Sequence, residues 1–330
     1  MQLTRKSHYN PCFWTAHWNA AYFGAVRDGI TMSTPRKQSV SVLNVRADKV
    51  YTTTVENVHR GTNGILEVTK EQAKKSCQLW LPDTYQKAWS EIDASPGDSY
   101  AYAIEKLFTF LENSSFYQML QKVIKNGTIC HAGDKLNLAG FIILQYLRNP
   151  DLLRTIGDAL VAQGLQRFDL FLALTRFLND IQFIQQIIPD VAHGNWTFYK
   201  TQNDQFPLAD SAVMVAGESK MIALSPRLLL EIQGIDPKMY LTYTFRNTMR
   251  DEKMEEFRKR TIRNASKEII FSNDRLLCDW QKTPEFAERK LAIEGNAGGY
   301  RVQYAGEVFD ERWLVDLCRQ MLSSIGTSTA

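Results

Sequence analysis

Apolar and polar residues alternate between Ser39 and Asn57. Val40, Val42 and Val45 stand on one side of Ala47-Asp48-Lys49, and Val50, Tyr51 and Val55 on the other. Strand side chains point to opposite faces in turn, so a period of two around a polar turn predicts a β-hairpin. From Glu71 the period changes. Asp83 to Ile92 predicts a short helix, stopped at Ser95-Pro96-Gly97-Asp98. Ser99 to Lys125 carries Ala103, Leu107, Phe110, Leu111, Met119, Leu120 and Val123 at helical spacing. A break is expected near Asn113-Ser114-Ser115 and an end at Asn126-Gly127. Asp134 to Leu147 predicts a third helix, stopped by Asn149-Pro150. Asp151 to Ile188 predicts a fourth, broken at Gly164 and ended by Pro189. Residues 83–188 are thus expected to form a helical bundle.

Strand patterns return at Trp196 to Thr201, Val213 to Ala216 and Met221 to Leu224, with another at Met239 to Phe245. Asn247 to Arg263 predicts a charged helix, Glu268 to Ser272 a short strand and Leu314 to Ser323 a last helix. The order of strands, helices, strands and helix lacks the regular alternation of a doubly wound sheet. The expected class is α+β, with a mostly antiparallel sheet packed on the helices. Residues 1–275 would be one domain with 83–188 inserted, and 276–330 a C-terminal extension.

Composition narrows the picture only a little. Of 330 residues, 44 % are hydrophobic and 23 % charged, enough apolar material for a core that needs no disulfide or metal. The net charge of +3 is too mild to announce nucleic-acid binding, yet it is compatible with a local basic face. Cys12, Cys77, Cys130, Cys278 and Cys318 are scattered and odd in number, as expected of a reduced, cytoplasmic chain. No signal-peptide pattern is visible, and no window reaches the roughly 18 uninterrupted apolar residues of a membrane span. A membrane partner is therefore not expected.

The common phosphate-loop, dinucleotide-binding, nucleophile-elbow and zinc-peptidase motifs are absent from the sequence. Attention turns to His8-Tyr9-Asn10-Pro11-Cys12-Phe13-Trp14. His8, Cys12 and His17 do not make a zinc site, because structural zinc takes four ligands, usually in two pairs. His8 alone has two readings: a general acid or base titrating near neutrality, or a core histidine bonded to a carbonyl. From residue chemistry the second is commoner.

Asp210, between Phe206-Pro207-Leu208-Ala209 and a strand, can bind a cation, orient a histidine or cap a turn, and capping is the usual role. Gln145 and Arg148 are three apart, on one face of an apolar helix. If that face is buried, the arginine needs a partner, for which Glu105 is the natural candidate. Arg258-Lys259-Arg260-Thr261-Ile262-Arg263 is the most basic turn of the charged helix. It could meet phosphate, although helix C-termini favour basic residues anyway.

Together these segments resemble the uncharacterised family called domain of unknown function 4238. The resemblance rests on the His-Tyr-x-Pro-x-Phe opening, Phe141-x-x-x-Gln145-x-x-Arg148-Asn149-Pro150, the Asp210 turn and Ile222-Ala223-Leu224-Ser225-Pro226. It spans roughly residues 6–275 and depends on the order of landmarks. The family usually reads Ser-Asp-Asn-Pro at the aspartate turn, where this chain has Ala209-Asp210-Ser211-Ala212. The family carries no general activity. What the resemblance implies is a constellation of His8, Glu105, Gln145, Arg148 and Asp210.

Such a set suits phosphodiester cleavage in a nuclease-like hydrolase, in the setting of a toxin or phage-defence effector. His8 would be the general acid or base. Glu105 and Asp210 would orient it or bind a divalent metal, Mg²⁺ or Mn²⁺. Arg148 and Gln145 would hold phosphate, and Arg258, Lys259, Arg260 and Arg263 would guide nucleic acid. The rival expectation is a non-catalytic protein-binding module. There the polar residues form a structural network, and Tyr9, Phe13, Trp14, Trp18, Tyr22 and Phe23 are a docking surface for a protein partner.

Overall fold

The computed structural model describes residues 7–295, apart from 31, 33, 62–64, 104–114, 128, 130, 163, 173–190, 217–218 and 235–242. The class is α+β, with mostly antiparallel sheets. The expected hairpin is present. Ser39–Asn44 pairs with Lys49–Thr54 in the register Ser39↔Thr54 to Asn44↔Lys49. The Asn44 side chain accepts the Ala47 N–H at 2.8 Å, which closes the turn locally. Val40, Val42 and Leu43 are buried, because Glu268–Phe271 joins the other side of Ser39–Asn44 and Leu208–Ala209 follows it. The result is a four-stranded antiparallel sheet.

A second, five-stranded sheet runs in the order Tyr243–Arg246, Asn195–Lys200, Leu228–Gln233, Ser219–Ser225, Val213–Ala216. Among the described residues its one parallel pair is Tyr243–Arg246 with Asn195–Lys200. Trp196, Phe198, Leu229, Leu230, Met221 and Ala223 are all within 1 % of complete burial.

The opening aromatics belong to the core. The Trp14 ring meets Phe141 edge-on at 5.2 Å, and its Nε1 donates to the Leu224 carbonyl at 2.9 Å. Trp18 Nε1 donates to the Phe206 carbonyl at 2.8 Å. Tyr22 and Phe23 are buried, while Tyr9 and Phe13 are half-buried. The expectation of an aromatic docking surface is therefore corrected: these rings fasten the N-terminal segment to the second sheet and to a central helix. A buried indole needs an acceptor for its N–H, and main-chain carbonyls supply both.

Within 83–188 the described helices are Tyr85–Ala94, Ser115–Asn126, Ala132–Leu147 and Pro150–Ala162. Gly127 ends the second at φ +68°, and Gly164 follows the fourth at φ +79°, both as the sequence predicts. Ser99–Ala103 is different from expectation. It is a strand, paired with Ile65–Thr69. Tyr100 and Tyr102, two apart, both set their rings edge-on against Phe168, so a period of two prevails over the helical one.

At the other end, Asp274–Gln281 runs straight across the expected boundary at 275. Its Trp280 packs on Phe257 and Phe271, and Arg289 of the next helix donates to the Ala265 carbonyl at 2.7 and 2.9 Å. Leu314–Ser323 lies outside the described residues. Among the described residues no helix is long and apolar enough to cross a membrane.

Candidate functional site

The opening stretch begins as a two-residue strand, Ser7–His8, paired antiparallel with Arg60–Gly61. Tyr9 N–H donates to the His59 carbonyl at 2.8 Å, and a Cβ added at Gly61 would collide with the Tyr9 hydroxyl. Glycine therefore lets the two strands close. Pro11 then turns the chain into the short Cys12–Thr15 helix.

Two side chains at the end of Ala132–Leu147 grip this stretch. Gln145 Nε2 donates to the Tyr9 carbonyl at 2.8 Å and to Asn10 Oδ1 at 2.6 Å. Arg148 Nη2 donates to the His8 carbonyl at 2.6 Å, and Nη1 to the Tyr117 hydroxyl at 3.2 Å. The spacing of three does put both on one face, and both are buried. Glu105, expected beside Arg148, lies outside the described residues.

Asn10, 0 % exposed, is the hub. Its Nδ2 donates to the Ala209 carbonyl at 2.9 Å and to His59 Nδ1 at 2.7 Å. A carbonyl can only accept, so Ala209 fixes the orientation of the Asn10 amide. His59 Nδ1 must then accept, and its ring proton sits on Nε2. Nε2 itself is buried without a hydrogen-bond partner.

Burial pushes His59 down to about 4 against the opposing pull of Glu268. Its backbone has φ +49°, a left-handed conformation that costs about 1 kcal/mol outside glycine. In return its N–H reaches Glu268 Oε2 at 2.9 Å. Glu268 also accepts from Tyr51 at 3.1 Å and pairs with Lys267 at 2.6 Å. Burial opposes charge on Glu268, yet His59 and Lys267 outweigh it and hold the carboxyl below its usual range.

Asp210 closes the network. Oδ1 accepts the Ser211 and Ser266 N–H groups at 3.0 and 2.8 Å, and Oδ2 accepts that of Glu268 at 3.2 Å. The aspartate is a cap that ties the Leu208–Ala209 strand to the entry of Glu268–Phe271. Both its oxygens accept main-chain donors. Among the described residues no group of three His, Cys, Asp or Glu could hold a metal ion. The expected divalent site pairs Asp210 with Glu105, which lies outside the described residues.

His8 is set apart from the hub by charge. Its half-buried imidazole is held down to about 3, first by burial and then by Arg60, Arg148 and Arg36; a bond to the Val58 main chain opposes them. His17 is a second neutral histidine, bonded to the Trp14 carbonyl at 2.9 Å and lowered to about 4 by burial.

The predicted basic turn is neutralised. Arg258 meets Glu285 at 3.3 Å, Lys259 meets Glu255 at 2.8 Å, and Arg260 pairs with Glu256. Arg263 is exposed. Three of the four cations expected to guide nucleic acid are therefore engaged by carboxylates.

His8, Gln145 and Arg148 are brought together, and Asp210 lies in the same network through Glu268. Asn10, Arg36, His59, Arg60 and Glu268 were missed. Asn10 stood inside the quoted opening motif, whereas the others carry no local signal. Asn10→Leu, close in size but apolar, should cost about 2–4 kcal/mol by stranding His59 Nδ1 and the Ala209 carbonyl. Thermal or urea melts check this, and a loss below about 1 kcal/mol would remove Asn10 as the hub.

No protein-family model matches the chain, and no curated protein or solved structure matches it.

Proposed function

We propose that the chain is a nuclease-like, phosphodiester-directed hydrolase whose working surface lies around His8. The observation that carries the reading is the placement of Arg60 directly opposite His8 in the antiparallel pair, with Arg148 held at the His8 carbonyl at 2.6 Å. Guanidinium groups match phosphate oxygens in shape and charge, and their field is strongest where water is partly excluded. In this reading Gln145 and Arg148 act first as positioning residues, because they hold the main chain of residues 8–10. His8 moves the proton, and Arg60 faces the phosphate. Glu105 and the basic turn from Arg258 to Arg263 have no assigned part, and a toxin or defence setting stays with the family resemblance.

Labelled RNA, single-stranded DNA and duplex DNA, each with Mg²⁺, Mn²⁺ or EDTA, test the reading. Cleavage by the wild type is expected to fall at least about 100-fold in Arg60→Gln, the loss typical of removing one group that stabilises transition-state charge. Equal cleavage by the two proteins would sink it.

A second reading has its own support. Every described Gln145 bond and the Arg148 bond to His8 serve main-chain carbonyls or Asn10, as a purely structural clamp would require. The chain would then be a binding module, and folded wild type would cleave nothing.

A further inference from the structure

His59 stands where the pairing of Ser7–His8 with Arg60–Gly61 ends, and it holds the opening stretch by two contacts. Its carbonyl accepts the Tyr9 N–H at 2.8 Å, and its Nδ1 accepts from Asn10 Nδ2 at 2.7 Å. The second contact can run in one direction only. Asn10 Nδ2 also faces the Ala209 carbonyl at 2.9 Å, and Asn10 Oδ1 faces Gln145 Nε2 at 2.6 Å. Gln145 Nε2 is turned in its own place by the Tyr9 carbonyl at 2.8 Å. Reversing the Asn10 amide would set its oxygen against the Ala209 carbonyl. Reversing Gln145 as well would set a second oxygen against the Tyr9 carbonyl. Two main-chain carbonyls, which only accept, therefore fix the polarity of the whole chain of bonds.

A proton on His59 Nδ1 has no place in this chain, because it would point one N–H at another across 2.7 Å. We propose that the Asn10–His59 contact is a proton-operated latch: a proton arriving on His59 Nδ1 frees Asn10 and opens the end of the strand pair that sets His8 opposite Arg60. The backbone favours release. His59 is left-handed at φ +49°, held there by the Tyr9 N–H on its carbonyl and by Glu268 Oε2 on its N–H at 2.9 Å. The charged groups acting on the imidazole are Glu268, which favours the proton, and Lys267, which opposes it. Tyr51 gives its hydroxyl to Glu268 at 3.1 Å, and Arg60 turns Nη1 to Asn57 at 3.0 Å. The latch holds whatever chemistry His8 performs.

The direction with pH follows from the two states. Burial in the closed latch holds the His59 imidazole down to about 4, and a freed imidazole regains the ordinary 6.5. Opening takes up a proton, so acid favours it below 6.5. The ratio of open to closed then rises about tenfold per pH unit until about pH 4, and about 30-fold by pH 5.

Amide hydrogen exchange of the full chain, read by NMR from pH 7 to pH 5 and corrected for the pH dependence of the exchange chemistry, tests the latch. The Tyr9 N–H reports local opening, and the amides of the inner strand Leu228–Gln233 report unfolding of the whole. His59→Asn is the control. Asparagine accepts a left-handed backbone and places Oδ1 near where Nδ1 stood, but it does not titrate. In the wild type, Tyr9 is expected to exchange well ahead of the inner strand, with protection falling about 30-fold from pH 7 to pH 5. In His59→Asn the fall should be at least about tenfold smaller, although His8 and His17 still titrate.

Equal falls in the two proteins would overturn the proposal. So would a Tyr9 amide that exchanges at the rate of the inner strand, because the segment would then open only with the whole fold. Imidazole NMR of the wild type gives a reading that needs no variant. The His59 signal should take up its proton in the same step that moves the Asn10 side-chain amide signals. A proton on His59 that leaves those signals in place would equally overturn the latch.

Discussion

Asp210→Ala is expected to lower the stability of the fold by about 3–5 kcal/mol, a large part of what a domain of this kind has to lose. The reason is the number of donors left behind. Three main-chain N–H groups, those of Ser211, Ser266 and Glu268, point at its two carboxylate oxygens at 3.2 Å or less. Ser211 and Glu268 are buried, so little water can replace the acceptor. Bonds to a charged acceptor are stronger than neutral ones, and removing one partner leaves the cost of burying the other. The strand Leu208–Ala209 and the start of Glu268–Phe271 would both loosen. Asp210→Asn keeps one oxygen and should fall between. Urea unfolding of the three proteins decides this. An alanine variant within about 1 kcal/mol of wild type would return Asp210 to the pool of candidate catalytic groups.

Acid is expected to unfold the protein well before its carboxylates protonate. His17 and His59 are buried and neutral, each with its proton affinity lowered from 6.5 to about 4. As pH falls through 6.5 the unfolded chain takes up protons that the folded chain refuses until about pH 4. The unfolded state therefore binds more protons across that window, so stability rises with pH and drains away as pH falls. A shift of this size is worth about 3 kcal/mol per histidine, so the pair removes about 6 kcal/mol between pH 7 and 4. His8, lowered to about 3, acts in the same direction.

Glu268, held below its usual range, loses its contribution only below about pH 4.5, which separates the two effects. Urea midpoints measured from pH 8 to pH 4 should begin to drop near 6.5, and His17→Phe should flatten part of the slope. A flat profile down to pH 5 would mean that these imidazoles are hydrated or paired in a way the structure does not have.

The fold was legible where side-chain periodicity was clean. The Ser39–Thr54 hairpin stood out because buried Val40 and Val42 alternate with more open neighbours in Ser39–Asn44, while Lys49–Thr54 is an edge strand with no buried residue. Leu228–Gln233 was missed for the opposite reason. It is buried on both faces, so its letters do not alternate, and its one acid is satisfied in the interior. Glu231 meets Lys253 at 2.9 Å and Tyr199 at 2.8 Å.

The site was legible in part. Gln145 and Arg148 were found because helical spacing puts them on one face. What they hold was not, because main-chain carbonyls leave no letter in a sequence. Arg60 stands opposite His8 only once the two distant segments have paired. In the sequence it looks like an ordinary surface charge.

Cleavage of labelled RNA and DNA by the wild type beside His8→Ala, with melting temperatures measured on the same preparations, is the most direct test of the central claim. The variant is expected to melt within a few degrees of wild type, because it keeps the His8 carbonyl that Arg148 holds. Its cleavage should be lost. A variant that melts much lower and cleaves in proportion to its folded fraction would show that His8 is part of the clamp. Arg60 and Arg148 would then be scaffolding.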